Sequence, residues 1–226
     1  MSHFTVMVIG PDPEQQLAPF QEIEGNERSK WDWYSLGGRW TGFLKLKPGA
    51  VGTLGEPGVF DNEPAHGNDS ADQARKGNID IEGLRQDAAH GARTRWQAFH
   101  DVADLYPPFA RWSVVRDSTP EIDTARVIYQ DQEAVQALRQ ANLLPWDEQE
   151  LTELLNSKEE YTTRAARRAL TTFAFLQDGE WYEQGNMGWF GVVTNEKDPN
   201  EFERRFSELF DALPDDTLIS IYDCHI

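Results

Sequence analysis

The sequence predicts an α+β fold. Three observations carry this: an apolar, β-branched segment near each end of the chain, short runs of alternating polarity bounded by Gly and Pro, and a middle stretch whose apolar residues recur at helical spacing. His3–Ile9 (HFTVMVI) is apolar on both faces, as a central strand is, and stops at Gly10-Pro11. Asp12-Pro13-Glu14 reads as a helix start, with Asp as cap and Pro in the first turn, for a short helix to about Phe20. Thr41–Lys47 (TGFLKLK) alternates like a strand. The stretch 48–78 is rich in Gly, Pro, Asn and Asp and reads as a long loop.

From Ile79 to Tyr106 one apolar stripe (Ile81, Leu84, Ala88, Ala92, Trp96, Phe99, Ala103) predicts a long helix, stopped by Pro107-Pro108. Arg111–Arg116 (RWSVVR) reads as a short strand, and 123–141 and 147–175 read as helices. Gly188–Thr194 is strand-like, Pro199–Leu213 is an amphipathic helix, and Leu218–Ile226 is a closing strand. This order suggests a ferredoxin-like antiparallel sheet with strands near 3–9, 41–47, 188–194 and 217–225. A mainly helical insertion over 79–175 would interrupt a single domain spanning 1–226. In that topology the first and last strands are antiparallel neighbours, which brings His3 close to Cys224 and His225.

The formal charge is -18, from 21 Lys and Arg against 39 Asp and Glu. Such a chain repels nucleic-acid phosphates and anionic membranes and would attract a basic protein surface. Cys224 is the single cysteine, so neither an internal disulfide nor a multi-cysteine metal site can form. The opening MSHFTVMVIG has no leader pattern and no apolar run is long enough to span a bilayer, so the cytoplasm is the expected location.

Eight tryptophans are an unusual number, and they concentrate in two glycine-bearing elements. In the first, Trp31, Trp33, Tyr34 and Trp40 offer flat faces, Gly37 and Gly38 permit close backbone approach, and Arg39 offers a planar fork for phosphate or carboxylate. The second holds Trp181, Glu183 and Trp189. Together they are expected to wall a pocket for a small, flat, anionic ligand such as a nucleotide, with no cofactor and no resident metal. The competing reading of each is structural, a tight turn feeding a strand and a β-hairpin with its aromatics in the core. Asp223-Cys224-His225 raises a further possibility, an enzyme using these residues or His3, although adjacent strand residues face opposite ways and Cys224 and His225 cannot easily touch. Asp223, His225 and His3 could together form a weak metal site. Arg164, Arg167 and Arg168 form a basic cluster, one helical turn from Glu159 and Glu160.

Four segments, MSHFTVMVIG, DWYSLGGRW, EWYEQGNMGWFG and DDTLISIYDCHI, resemble a family of uncharacterised proteins found in bacteriophages and bacterial genomes. The resemblance implies a phage or prophage accessory protein acting in the host cytoplasm, with counter-defence as one such role. The ligand would then be a nucleotide-type defence signal. An acidic inhibitor of a basic host protein, including a DNA mimic, is the alternative that the net charge of -18 suggests.

Overall fold

The computed structural model describes residues 2–56, 62–188, 192–195 and 197–226. The chain forms β1 (His3–Ile9), α1 (Pro13–Leu17) continuing into a 3₁₀ turn (Ala18–Phe20), β2 (Trp33–Leu36), β3 (Leu44–Lys45), β4 (Gly52–Thr53), β5 (Ser70–Ala71) and β6 (Gln73–Arg75). Six helices follow: α2 (Ile81–Ala103), α3 (Trp112–Ser118), α4 (Ile122–Gln130), α5 (Glu133–Gln140), α6 (Glu148–Leu154) and α7 (Lys158–Arg168). The chain closes with β7 (Ala174–Gln177), β8 (Glu180–Glu183), β9 (Asn186–Met187), β10 (Val193–Thr194), α8 (Pro199–Ala212) and β11 (Leu218–His225). Two compact units result, one from Met1–Leu84 with Arg167–Ile226 and the other from Arg85–Ala166.

The first unit holds a mixed seven-stranded sheet in the order β4-β6-β11-β1-β7-β8, with β2 also paired to β11. β1 lies antiparallel to β11 and parallel to β7, the central place that its two apolar faces demand. Because side chains alternate along a strand, the two faces carry different cores. Met7, Ile9, Phe175, Ile219 and Ile221 pack under Phe202, Phe206 and Phe210 of α8. Phe4, Val6, Val8, Leu176, Tyr222 and Cys224 pack on the opposite face with Leu17 and Phe20 of the α1 segment. The β7–β8 hairpin turns on Asp178 and Gly179, both at positive φ (52° and 78°), as the tightest hairpin turns require. In the second unit, Phe99, Leu138, Leu151 and Leu154 form the core.

The α+β class is observed, but a ferredoxin-like sheet is not confirmed. Of the four expected strands, only the first and last are in the main sheet. Within 41–47 just Leu44–Lys45 is strand, and it pairs with β5 in a separate two-stranded sheet. Gly42 takes φ 76° there and its N–H donates to the Asp72 side chain, which ends any longer extended run. Around 188–194, β9 and β10 pair only with each other, and Trp189, Phe190 and Gly191 lie outside the described residues. β7 begins within the last two residues of the 147–175 segment expected as helix and runs beyond it, and β4 and β6 of the main sheet lie inside the stretch expected as loop. RWSVVR is helix α3, not strand. Val114 is exposed and Val115 buried, and the Ser113 N–H at the helix start donates to the Glu148 carboxylate. Asp12 adopts φ 50° and makes no side-chain cap.

Candidate functional site

The Gly37-Gly38 turn is clasped between two buried aspartates. Asp72 is fully buried and accepts from the Gly42 N–H (2.6 Å), the Gly55 N–H (2.9 Å) and the Thr41 hydroxyl (3.3 Å). Burial pushes its carboxyl up, and these donors pull the other way. Asp223 accepts from the Arg39 N–H at 3.0 Å. A Cβ on Gly37 would sit 2.2 Å from Asp72 Oδ2, and one on Gly38 would sit 2.5 Å from Asp223 Cβ. Both glycines have positive φ (71° and 54°), so close approach and backbone conformation each exclude a larger residue.

Asp223 also anchors a histidine. In the β1/β11 register His3 pairs with His225 and Thr5 with Asp223, while β2 places Trp33 beside His225 and Ser35 beside Asp223. By strand alternation these six residues share one face of the sheet, at the end of the row that holds Met7 and Ile221. His3 Nδ1 lies 2.7 Å from Asp223 Oδ1, and His225 Nδ1 lies 2.6 Å from Asp32 Oδ1. An ionised carboxylate only accepts, so both Nδ1 atoms carry the hydrogen and both Nε2 atoms are left for other work. Neither Nε2 has a hydrogen-bond partner among the described residues. The two imidazoles meet edge to face at 4.9 Å, with Trp33 at 6.1 Å from His3. Each histidine side chain keeps 14% exposure, and Trp33 keeps 45%.

The expected pocket residues divide. Trp31 is buried, its Nε1–H donating to the Leu17 carbonyl and its ring meeting Tyr34 edge-on at 4.8 Å. Trp181 packs on Phe20 (5.0 Å) and donates to Glu183 (2.8 Å). Glu183 is buried and holds the Lys30 ammonium at 2.7 Å, which ties the two Trp/Gly elements together beside a hollow of about 220 Å³. These four side chains are thus used in packing and in that ion pair. Arg39 and Trp40 line a separate open hollow of about 420 Å³ with Phe43 and Asn62. Trp33 is the tryptophan of the first element with a widely open face. Trp189 falls outside the described residues.

Cys224 faces the opposite core, is fully buried, and burial pushes its thiol well up. It therefore cannot act beside His225. Among the described residues no group of three or more His, Cys, Asp and Glu is placed to hold a metal ion. Arg164 pairs with Glu153 (2.7 Å) and Arg168 with Glu203 (3.4 Å), instead of with Glu159 and Glu160. Sequence reasoning missed Asp32 and Asp72. Asp32 precedes Trp33 and joins the site only because its N–H bonds to the His225 carbonyl.

Chemically, the site offers two oriented imidazoles, a flat indole face and a rigid glycine turn bearing Arg39. Comparison with the profiles of known families, with curated proteins and with solved structures gives no match. Among the described residues no helix is long and apolar enough to cross a membrane.

Proposed function

We propose that this protein binds a small, flat, anionic ligand of the nucleotide kind at the end of its sheet. Trp33 would stack the base, while the His3 and His225 imidazoles would face the anion. This moves the site from the hollow between the two Trp/Gly elements to the end of strands β1, β2 and β11. The observation that carries the reading is the pairing of two imidazoles, 4.9 Å apart, each with its Nδ1 held by a carboxylate and its Nε2 without a described partner. Ligand sites set a few convergent polar groups beside apolar and aromatic surface, and these side chains are so disposed. In the phage-accessory setting that the sequence motifs imply, the ligand would be a nucleotide signal of the host.

Thermal-shift titration with mono-, cyclic and dinucleotides tests this. A ligand at 100 times its Kd stabilises by about 3 kcal/mol, a readily measured rise in Tm. Trp33→Ala should weaken the shift. The reading fails if no nucleotide raises Tm, or if Trp33→Ala responds like the wild type.

A second reading, an acidic protein-interaction role, draws on the Arg85–Ala166 unit. Val114, Ile122, Val127 and Ile128 are exposed there and Trp146 is fully so. Leu105, Tyr106 and Leu155 are exposed too, and while scattered exposed apolar residues are ordinary, eight on one small helical unit suit a protein partner. Size-exclusion chromatography of the wild type against Val127→Lys with Ile128→Lys, over a range of concentrations, shows whether that partner is a second copy.

A further inference from the structure

Resting on that reading, we infer that His3 and His225 are a general base and a general acid that hydrolyse a small phosphodiester bound at these strand ends. An imidazole can take up a proton or give one up at a ring nitrogen, so a pair can present one base and one acid. A carboxylate on each Nδ1–H fixes tautomer and orientation, and this arrangement makes an imidazole an effective proton carrier through Nε2. Two such imidazoles on one face match a reaction that takes one proton and gives one.

The step balances without oxidant or reductant. His3 Nε2 removes a proton from water as the water oxygen bonds to phosphorus. The ester P–O bond breaks, and the leaving oxygen takes the proton of His225 Nε2–H. The products are a phosphomonoester and an alcohol, and proton exchange with solvent restores both rings. The assignment of roles follows burial. Asp223 is 1% exposed and also fixed by the Arg39 N–H, so His3 is the more rigidly held and is the base. Asp32 is 44% exposed, so His225 lies closer to solvent from which it can be reprotonated. Water is the nucleophile, since among the described residues no hydroxyl or thiol is hydrogen-bonded to either imidazole.

The substrate class also follows. A diester bears one negative charge at its phosphorus where a monoester bears up to two, which suits a protein of net charge -18. That same charge disfavours long nucleic acid and favours a small diester. Trp33, nearly half exposed beside His3, favours one that carries a flat base. A cyclic nucleotide meets all three conditions.

The experiment uses the full chain, with 2′,3′- and 3′,5′-cyclic AMP and bis(4-nitrophenyl) phosphate as substrates, EDTA present or absent. The variants are His3→Asn and His225→Asn, whose amides can keep the N–H to each aspartate while lacking Nε2. The wild type should cleave both substrate types, unaffected by EDTA. His3→Asn should lose about 10²- to 10⁴-fold on both. His225→Asn should lose as much on the cyclic nucleotide but under about 10-fold on the nitrophenyl ester, because nitrophenolate departs without a proton. Circular dichroism and the nucleotide thermal shift are read on every variant. Binding of cyclic AMP by the wild type without turnover overturns the acid–base pair and leaves the binding reading standing. Absence of both overturns both. Turnover that survives the double variant, or that EDTA abolishes, overturns the inference.

Discussion

Replacing Gly38 by alanine tests the link between the glycine turn and the histidine site. The added Cβ would lie 2.5 Å from Asp223 Cβ and 2.6 Å from its Oδ2, at a backbone φ of 54°. Left-handed backbone costs alanine about 1 kcal/mol more than glycine. The clash adds a second penalty, because Asp223 must withdraw from the His3 Nδ1–H (2.7 Å) or the Arg39 N–H (3.0 Å). Losing one such charge-assisted bond costs about 2–3 kcal/mol, for a total of about 3–4 kcal/mol. Gly49→Ala is the matched control, with φ 76° and nothing within 4 Å of the added methyl. It should cost only the backbone term of about 1 kcal/mol. Urea unfolding of both variants, with m unchanged, gives the difference directly. Equal losses, within about 0.5 kcal/mol, would show that Asp223 is not pressed against the turn and would refute the argument.

Two further outcomes follow from the buried groups. Burial pushes up both the Cys224 thiol and the Tyr222 phenol, from ordinary values of 9.0 and 10.0. The unfolded chain therefore loses these protons first, and their contribution to stability is present below pH 9 and falls above it. Unfolding free energy should decline by about 1 kcal/mol per pH unit above pH 9, and more steeply above pH 10. Cys224→Ala should remove the first part of that decline, and the native thiol should resist Ellman's reagent until the protein unfolds. Glu183→Ala leaves the Lys30 ammonium and the Trp181 N–H without their shared acceptor, at a cost of about 3 kcal/mol by chemical denaturation, whereas an exposed pair would cost under 1.

The strands at the two ends were legible because each is apolar on both faces, and their antiparallel pairing carried the adjacency of His3 and His225 with it. β2 was hidden inside the aromatic motif. Its alternation sets Trp33 and Ser35 on one face and Tyr34 and Leu36 on the other, yet all four also read as motif residues. The start of β7 carries no strand signal in the sequence, because a short apolar run, Phe173–Leu176, does not declare its period. The break before α7 had a local signal: Ser157 and Glu160 form a reciprocal capping box, with the Ser157 N–H on the Glu160 carboxylate and the Glu160 N–H on the Ser157 hydroxyl. Asp32 and Asp72 had none. Their partners lie 193 residues away in one case and 17 to 31 residues away in the other.

The face that carries the site is otherwise a sealed apolar core, and this constrains how the polar end could arise. A carboxylate as buried as Asp223 is tolerated only if its oxygens are satisfied. One takes its hydrogen from His3, on the neighbouring strand, and the other from a main-chain N–H that reaches it because Gly37 and Gly38 bend the chain back without side chains. Neither donor suffices alone, so the glycine turn and the histidine are parts of one arrangement. His3, Asp223, His225 and Trp33 also sit on paired strands rather than on loops, which fixes them more tightly than a loop would. On the half-exposed side Asp32 accepts from the His225 Nδ1–H, which fixes the ring's tautomer and leaves Nε2 as its other nitrogen.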